Sequence, residues 1–231
     1  MRMTVDRDPT KDAVGRAAAE LVETEMTLGL GSGSTFLLFL DHLARRMRQS
    51  DLRVKGVPTS VSTADRAREL GIPLTTLEES PNLDLAIDGA DEVDPHKHMI
   101  KGGGAALARE KIVASAAAEM IVMVGESKMV DVLGKDFLLP VEVLPFGWSQ
   151  CAARLRALGC ETRLREIDGS PLLTDNDNYI LDCAFQDGIA DPESLESRIN
   201  LIPGVLDNGL FTNIAGRILV GDDSGQVRIV R

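Results

Sequence analysis

Through its first 130 residues the chain alternates short apolar runs with stretches of helical period, and that alternation restricts the possible folds more than any other feature. The runs at 27–31, 53–58, 84–88 and 120–124 have strand length, while 13–26, 35–47, 61–70 and 104–118 repeat apolar residues at helical spacing. In the first of these, Val14, Ala17, Ala18, Leu21 and Val22 share one stripe. Strands separated by helices require crossover connections, so the spacing predicts a mostly parallel sheet with helices on both faces. From Phe137 the order changes to strand 137–143, helix 149–158, strands 161–166 and 179–184, helix 192–200 and strand 205–210. This is the β-α-β-β-α-β order of ferredoxin-like units. Asp168-Gly169-Ser170-Pro171 and Asp175-Asn176-Asp177-Asn178 supply turns between the middle strands. Apolar stretches between Ile214 and Val230 read as short strands returning to the first domain. The expected architecture is α/β: a Rossmann-like, mostly parallel sheet domain built from 1–130 plus 211–231, with a smaller ferredoxin-like α+β domain, 131–210, inserted in it.

In open α/β sheets ligands bind outside the carboxyl ends of the strands. Three unusual segments follow predicted strands or sit between them and a helix. Gly29-Leu30-Gly31-Ser32-Gly33-Ser34-Thr35 joins a strand to a helix, an arrangement that cradles phosphate with backbone N–H groups and hydroxyls. No Gly-Lys-Ser/Thr closes it, so it is not a nucleotide-triphosphate loop, and no ribose-binding acid follows at dinucleotide spacing. Its hydroxyls suit a small phosphate monoester; a plain tight turn is the other reading. Asp88, Asp91, Glu92 and Asp94 crowd around the C-terminal end of the third strand. Mutual repulsion in such a cluster raises a carboxyl pKa toward neutrality, which suits acid–base work, whereas a solvated acidic turn would also be acidic. The spacing is not that of a calcium loop, and His96 and His98 have no cysteine partner, so no metal is expected. Finally, Lys101-Gly102-Gly103-Gly104 precedes a helical run carrying Glu110. Glycines let the backbone approach a ligand closely, a lysine can stabilise developing oxyanion charge, and a glutamate can serve as general base.

Composition narrows the classes further. The net charge of −11 and the absence of a basic stripe argue against nucleic acid as a partner. An anionic substrate must then be drawn by local lysines and helix N-termini. No export signal or membrane span is evident, and Cys151, Cys160 and Cys183 lack metal-like spacing and read as buried, reduced thiols. A cytoplasmic enzyme is the expectation. Arg109 and Lys111 read as solvent-facing or salt-bridged, Trp148 and Tyr179 as packing residues, and His42 as a surface residue of its helix.

In the order GLGSGST, DGADEVD and KGGGAALAREKI, the three segments resemble the A-type ribose-5-phosphate isomerases. Gly125-Glu126-Ser127-Lys128, Leu139-Pro140-Val141-Glu142-Val143, Thr174-Asp175-Asn176 and Ile202-Pro203-Gly204-Val205 extend the similarity over essentially the whole chain from Lys11. The resemblance implies interconversion of ribose 5-phosphate and ribulose 5-phosphate through an enediol(ate), a step of the non-oxidative pentose phosphate pathway. It implies Glu110 as the base moving a proton between C1 and C2 and matches the family's lysine to Lys101; by the chemistry such a step needs, Lys101, with N–H groups of Gly102, Gly103 and Gly104, would stabilise the enediolate charge. Asp88 would take a ring-hydroxyl proton or relay protons between O1 and O2, and Asp91 would orient Lys101 or a sugar hydroxyl. Ser32, Gly33, Ser34 and Thr35 would hold the phosphate, with Lys11 and Lys128 as cationic partners. No cofactor is implied, and a homodimer is. Serine stands at 32 where many members carry threonine, and the loop Val57–Ser62 lacks an aspartate that some relatives have nearby. The alternatives are a related sugar-phosphate or CoA enzyme of similar fold, or a sugar-phosphate-sensing module. A sensor usually carries an N-terminal helix-turn-helix, for which the residues before Lys11 leave no room.

Overall fold

The structure, a computed structural model, describes residues 8–231. In chain order its elements begin with α1 (Pro9–Glu20), β1 (Thr27–Leu30), α2 (Gly33–Gln49), β2 (Lys55–Pro58), α3 (Val61–Leu70) and β3 (Leu83–Gly89). There follow β4 (Glu92–Val93), β5 (Met99–Ile100), α4 (Leu107–Ser115), β6 (Ala117–Gly125), β7 (Leu139–Val143), α5 (Trp148–Arg156) and β8 (Glu161–Leu164). The last are β9 (Glu166–Ile167), β10 (Ser170–Pro171), β11 (Tyr179–Ala184), α6 (Pro192–Asn200), β12 (Val205–Asn208), β13 (Leu210–Phe211), β14 (Ala215–Gly221) and β15 (Val227–Val230). They form two compact units. The first holds the described residues up to Gly89, with Ala116–Ser127 and Gly216–Arg231; the second holds Ala90–Ser115 and Lys128–Ala215. Ala90–Ser115, including α4, thus groups with the later residues rather than with the parallel strands on either side of it.

The first unit is built on a six-stranded sheet in the order β15-β14-β6-β3-β1-β2. β1 pairs parallel with both β2 and β3, β3 pairs parallel with β6, and β14 and β15 form an antiparallel hairpin at one edge. All four residues of β1 are buried, as a short apolar strand inside a parallel sheet must be. Leu28, Leu30, Leu85, Ile87, Ile121 and Met123 of the sheet share one core with Val14 of α1 and with Phe36, Phe39 and Leu43 of α2.

Two local expectations need correction here. α1 starts at Pro9, not Ala13, because Asp8 caps it, its carboxylate accepting from the N–H groups of Thr10 (2.9 Å) and Lys11 (3.3 Å), and proline takes the first turn. It also ends at Glu20, short of Met26. Leu21 N–H and Val22 N–H close the last turn on the Ala18 and Ala19 carbonyls (3.1 and 3.3 Å), and the Arg46 guanidinium of α2 adds hydrogen bonds to the carbonyls of Ala19 and Val22. His42 is not a surface residue. It lies three residues from Phe39 on the buried stripe of α2, 8% exposed, with Nε2 3.1 Å from Asp12 Oδ1.

In the second unit, β7-α5-β8-β11-α6-β12 realises the ferredoxin-like order. Its antiparallel sheet runs β12-β7-β11-β8, so the first and third strands lie at the centre. Val141, Val143, Leu181 and Cys183 of the sheet pack with Cys151 and Leu155 of α5 and Ile199 of α6. Trp148 and Tyr179 border this core as packing residues, and the three cysteines are free and buried. The β9–β10 hairpin and a small sheet in the order β13-β5-β4 complete the unit. Among the described residues no helix is long and apolar enough to cross a membrane.

Candidate active site

In the first unit, β1 and β3 are parallel neighbours, so the turn after β1 meets the end of β3. Asp88, 4% exposed, accepts at Oδ1 from the N–H groups of Ser32 (2.9 Å) and Gly89 (2.8 Å). Gly31 N–H donates to Ile87 O at 3.0 Å, and the Thr63 hydroxyl donates to Gly31 O at 2.7 Å. The turn at Gly31 passes so close to Asp88 that a Cβ there would lie 2.2 Å from its Cγ. The next residues enter α2, which has Ser32 as N-cap residue but no side-chain cap hydrogen bond. Lys11, in the first turn of α1, donates from Nζ to Ser34 Oγ at 3.1 Å. An ammonium, a hydroxyl and the N–H groups of a helix start converge on the Ser32–Thr35 turn, a combination suited to a phosphate dianion.

In the second unit, Lys101 and Glu110 are buried, 3% and 5% exposed, with Nζ 3.2 Å from Oε2. α4 begins at Leu107, not at residue 104, and Glu110 lies three residues on, on the buried side of the helix with Leu107. The residues between, expected to open the helix, form a turn: Ala105 N–H bonds Gly102 O at 3.0 Å, with Gly102 and Ala105 at φ +103° and +60°. The Lys101 ammonium also sits 5.4 Å from the Phe211 ring centroid, and Lys111 sits 5.0 Å from it. Lys128 is half-buried, its ammonium 5.8 Å from the Phe137 ring.

The acids of the DGADEVD stretch have separate partners. Asp91 Oδ2 accepts from Gly103 N–H at 2.8 Å, which fixes the glycine turn. Burial pushes the Asp91 carboxyl above the ordinary aspartate range, against the Gly103 hydrogen bond and the charges of Lys101 and Lys128. Like-charge repulsion, from Glu110, is only the smallest contribution to that rise, so desolvation rather than crowding of acids perturbs this group. Glu92 bonds Gly134 N–H at 2.7 Å. Asp94 accepts from the N–H groups of His96 (2.9 Å) and His98 (2.8 Å) and meets the His98 ring at 3.1 Å.

Arg109 and Lys111 are salt-bridged, one of the two readings the sequence offered, but the sequence did not name their partners. Arg109 donates to Asn176 Oδ1 (2.7 Å) and Asp175 O (2.6 Å), and Lys111 bonds Glu196 (2.9 Å) and Asp207 (2.7 Å). The two flanking cations thus anchor α4 from both sides. Glu142, fully buried in β7, gathers the 174–178 turn by accepting from Thr174 (2.8 Å), Asn176 (3.1 Å) and Asn178 (3.0 Å). These pairs join positions 32 to 96 residues apart, and no local spacing reports them.

Residues 55–225 match the family model described as ribose 5-phosphate isomerase A (phosphoriboisomerase A). The chain is 48% identical over 217 residues to "Ribose-5-phosphate isomerase A 1" of Oceanobacillus iheyensis, covering 94% of this chain and 96% of that one. It is 52% identical to the ribose-5-phosphate isomerase A of Methanoregula boonei, over 92% and 90% of the two chains. Among solved structures, the ribose 5-phosphate isomerase of Plasmodium falciparum superposes with TM-score 0.94 at 38% identity, over 97% and 99% of the chains. A D-ribose-5-phosphate isomerase in complex with phospho-erythronic acid gives TM-score 0.92 at 37% identity, over 96% and 97%. With the motifs, the fold and these similarities agreeing along its length, the chain belongs to the ribose 5-phosphate isomerase A family.

Proposed function

We propose that this chain interconverts D-ribose 5-phosphate and D-ribulose 5-phosphate through an enediolate, with Glu110 as the base. The observation that carries the reading is the buried Lys101–Glu110 pair beside the glycine turn, Nζ to Oε2 3.2 Å. In the open-chain aldose, Glu110 removes the proton on C2. The electron pair forms the C1–C2 double bond, and the C1 oxygen takes the negative charge. The Lys101 ammonium and N–H donors of the glycine turn stabilise that oxygen, and such a donor is typically worth about 3–4 kcal/mol in the transition state. Glu110 then returns the proton to C1 while a proton passes from O2 to O1, giving the ketose with no net oxidation. Asp88 handles hydroxyl protons, either at ring opening or in the O2-to-O1 relay, and Asp91 orients the glycine turn and Lys101. Ser32, Gly33, Ser34, Thr35 and Lys11 bind the phosphate, and Lys128 is assigned a phosphate contact as well. Phospho-erythronic acid, the ligand of the solved relative, joins a phosphate to a carboxylate that mimics enediolate charge, which supports an enediolate for this chain too. The isomerase names of the relatives do not favour a sensing role. A homodimer is proposed from the resemblance, to be checked by sedimentation.

The test is turnover in D₂O followed by NMR. Ribose 5-phosphate should yield ribulose 5-phosphate with solvent deuterium in the sugar. Glu110→Gln should bind substrate within a few fold and lose at least about 10²-fold in kcat. Near-normal turnover by that variant would remove Glu110 from the base role, and a wild-type protein making no ketose would refute the isomerase reading.

A further inference from the structure

Arg165, between β8 and β9, makes four side-chain hydrogen bonds, and all of them bear on the glycine turn. Its Nε and Nη2 donate to the two oxygens of Asp182 on β11 at 2.9 and 2.5 Å, which fixes the plane of the guanidinium. Its Nη1 donates to Gly102 O at 2.9 Å and to Gly103 O at 3.0 Å. The backbone beneath is also held: Arg165 N–H bonds Ile180 O and Leu172 N–H bonds Arg165 O, both at 2.9 Å. The side chain of Arg165 is 16% exposed and that of Asp182 14%, so water competes weakly with their pairing, while the bond to Gly103 O lies at the surface.

The described peptide bonds are all trans, and in a trans peptide the N–H points away from the carbonyl of the same unit. Holding the Gly102 carbonyl on Arg165 turns the Gly103 N–H away from it, and that N–H lands on Asp91 Oδ2 at 2.8 Å. Holding the Gly103 carbonyl likewise turns the Gly104 N–H away from Arg165, on a residue that is exposed. Three consecutive glycines have no side-chain restraint on either peptide plane, so hydrogen bonds must set them; Ala105 N–H and Asp91 share the Gly102–Gly103 plane with Arg165, which also holds the next one. A guanidinium can bind a carboxylate and two carbonyls at once; an ammonium in its place cannot span both.

We propose that Arg165 is a positioning residue for the isomerisation: anchored on Asp182, it clamps the Gly102 and Gly103 carbonyls, and so keeps the Gly103 N–H on Asp91 and aims the Gly104 N–H at the developing enediolate. The inference rests on the isomerase reading above. Arg165 touches no reacting atom; it acts through the turn.

The test compares the wild type with Arg165→Met, measuring kcat, KM for ribose 5-phosphate and inhibition by phospho-erythronic acid. Loosened N–H donors should weaken binding of enediolate charge more than binding of the neutral sugar. The expected result is a kcat at least about 10-fold lower, KM within about threefold, and inhibitor affinity lost in step with kcat. Arg165→Lys should not restore kcat, whereas guanidinium ion added to Arg165→Ala should raise it. A kcat within about twofold of wild type, a loss wholly in KM, or a fall in kcat with unchanged inhibitor affinity would each overturn the proposal. If Arg165→Met does not fold by circular dichroism, Asp182→Asn, which leaves the arginine but loosens its anchor, should give the same pattern at smaller amplitude; unchanged constants there would also overturn it. A wild-type protein without isomerase activity would refute the isomerase reading and this inference with it, whereas an active wild type with an unaffected variant refutes only the role of Arg165.

Discussion

Replacing Gly31 by alanine asks whether the phosphate turn and Asp88 are one built object. The added Cβ would sit 2.2 Å from both Cγ and Oδ1 of Asp88. Unbonded carbons settle near about 3.5 Å, so the carboxylate must retreat by more than about 1 Å. That movement breaks its hydrogen bonds to Ser32 N–H (2.9 Å) and Gly89 N–H (2.8 Å). Hydrogen bonds to a charged group contribute about 1.5–3 kcal/mol each, so the expected loss of stability is about 3–6 kcal/mol. Displacement of a reacting group by about 1 Å is also expected to cost about 10²-fold in kcat. Gly33→Ala in the same turn is the control. Gly33 has φ +82° but no atom within 4 Å of a built Cβ, so its alanine carries backbone strain alone. That strain is about 1–2 kcal/mol. Urea unfolding of both variants, with kcat for Gly31→Ala, gives the answer. If Gly31→Ala loses no more stability than Gly33→Ala, or keeps kcat within about threefold, the close approach to Asp88 is not what requires glycine.

Two further outcomes follow from the carboxylates. Asp88→Asn separates its two proposed roles through ribulose 5-phosphate, which is acyclic because its terminal hydroxyl carries the phosphate. If Asp88 serves ring opening, the variant should still convert ribulose 5-phosphate to the open-chain aldose while its consumption of cyclic ribose 5-phosphate falls; loss of both by the same factor assigns the O2-to-O1 relay. Asp91 has its carboxyl pKa raised by burial, so its ionised form opposes folding. Its relative contribution to stability is full below the ordinary aspartate value of 3.8 and is lost as pH rises through the folded pKa. Asp91→Asn should therefore raise the urea midpoint relative to wild type at pH 7, with the difference shrinking toward acid pH; a difference independent of pH would contradict burial as the cause.

Much of the fold was legible because its signals are local. α3 occupies the expected 61–70, with the Ser60 hydroxyl accepting from Thr63 N–H at its start and Gly71 in the left-handed conformation at its end. The ferredoxin-like order was readable because Asp168-Gly169 and the 174–178 turn punctuate apolar runs of strand length. The ends of α1 were harder. The Asp8-Pro9 start is a local signature, but the stop at Glu20 is made by backbone bonds from Leu21 and Val22, reinforced by Arg46 from a distant segment, and no glycine or proline marks it in the sequence.

What the sequence by itself determined was the chemistry available and its approximate order along the chain: a hydroxyl-rich turn after β1, a run of acids after β3, and a lysine and a glutamate on either side of three glycines. Only the tertiary structure decided which of these groups are paired and how. It separated the acids, burying Asp88 on the Ser32 turn while Asp91 holds Gly103. It grouped Ala90–Ser115 with the ferredoxin-like residues rather than with the strands that flank it. And it brought Arg165 onto the carbonyls of Gly102 and Gly103, more than sixty residues away. The reason is physical. Helical period, caps and turns are set by neighbours within a few residues, whereas the direction of a glycine peptide, the burial of a carboxylate and the partner of a cation are set by whichever distant segment the packing of the core brings against them.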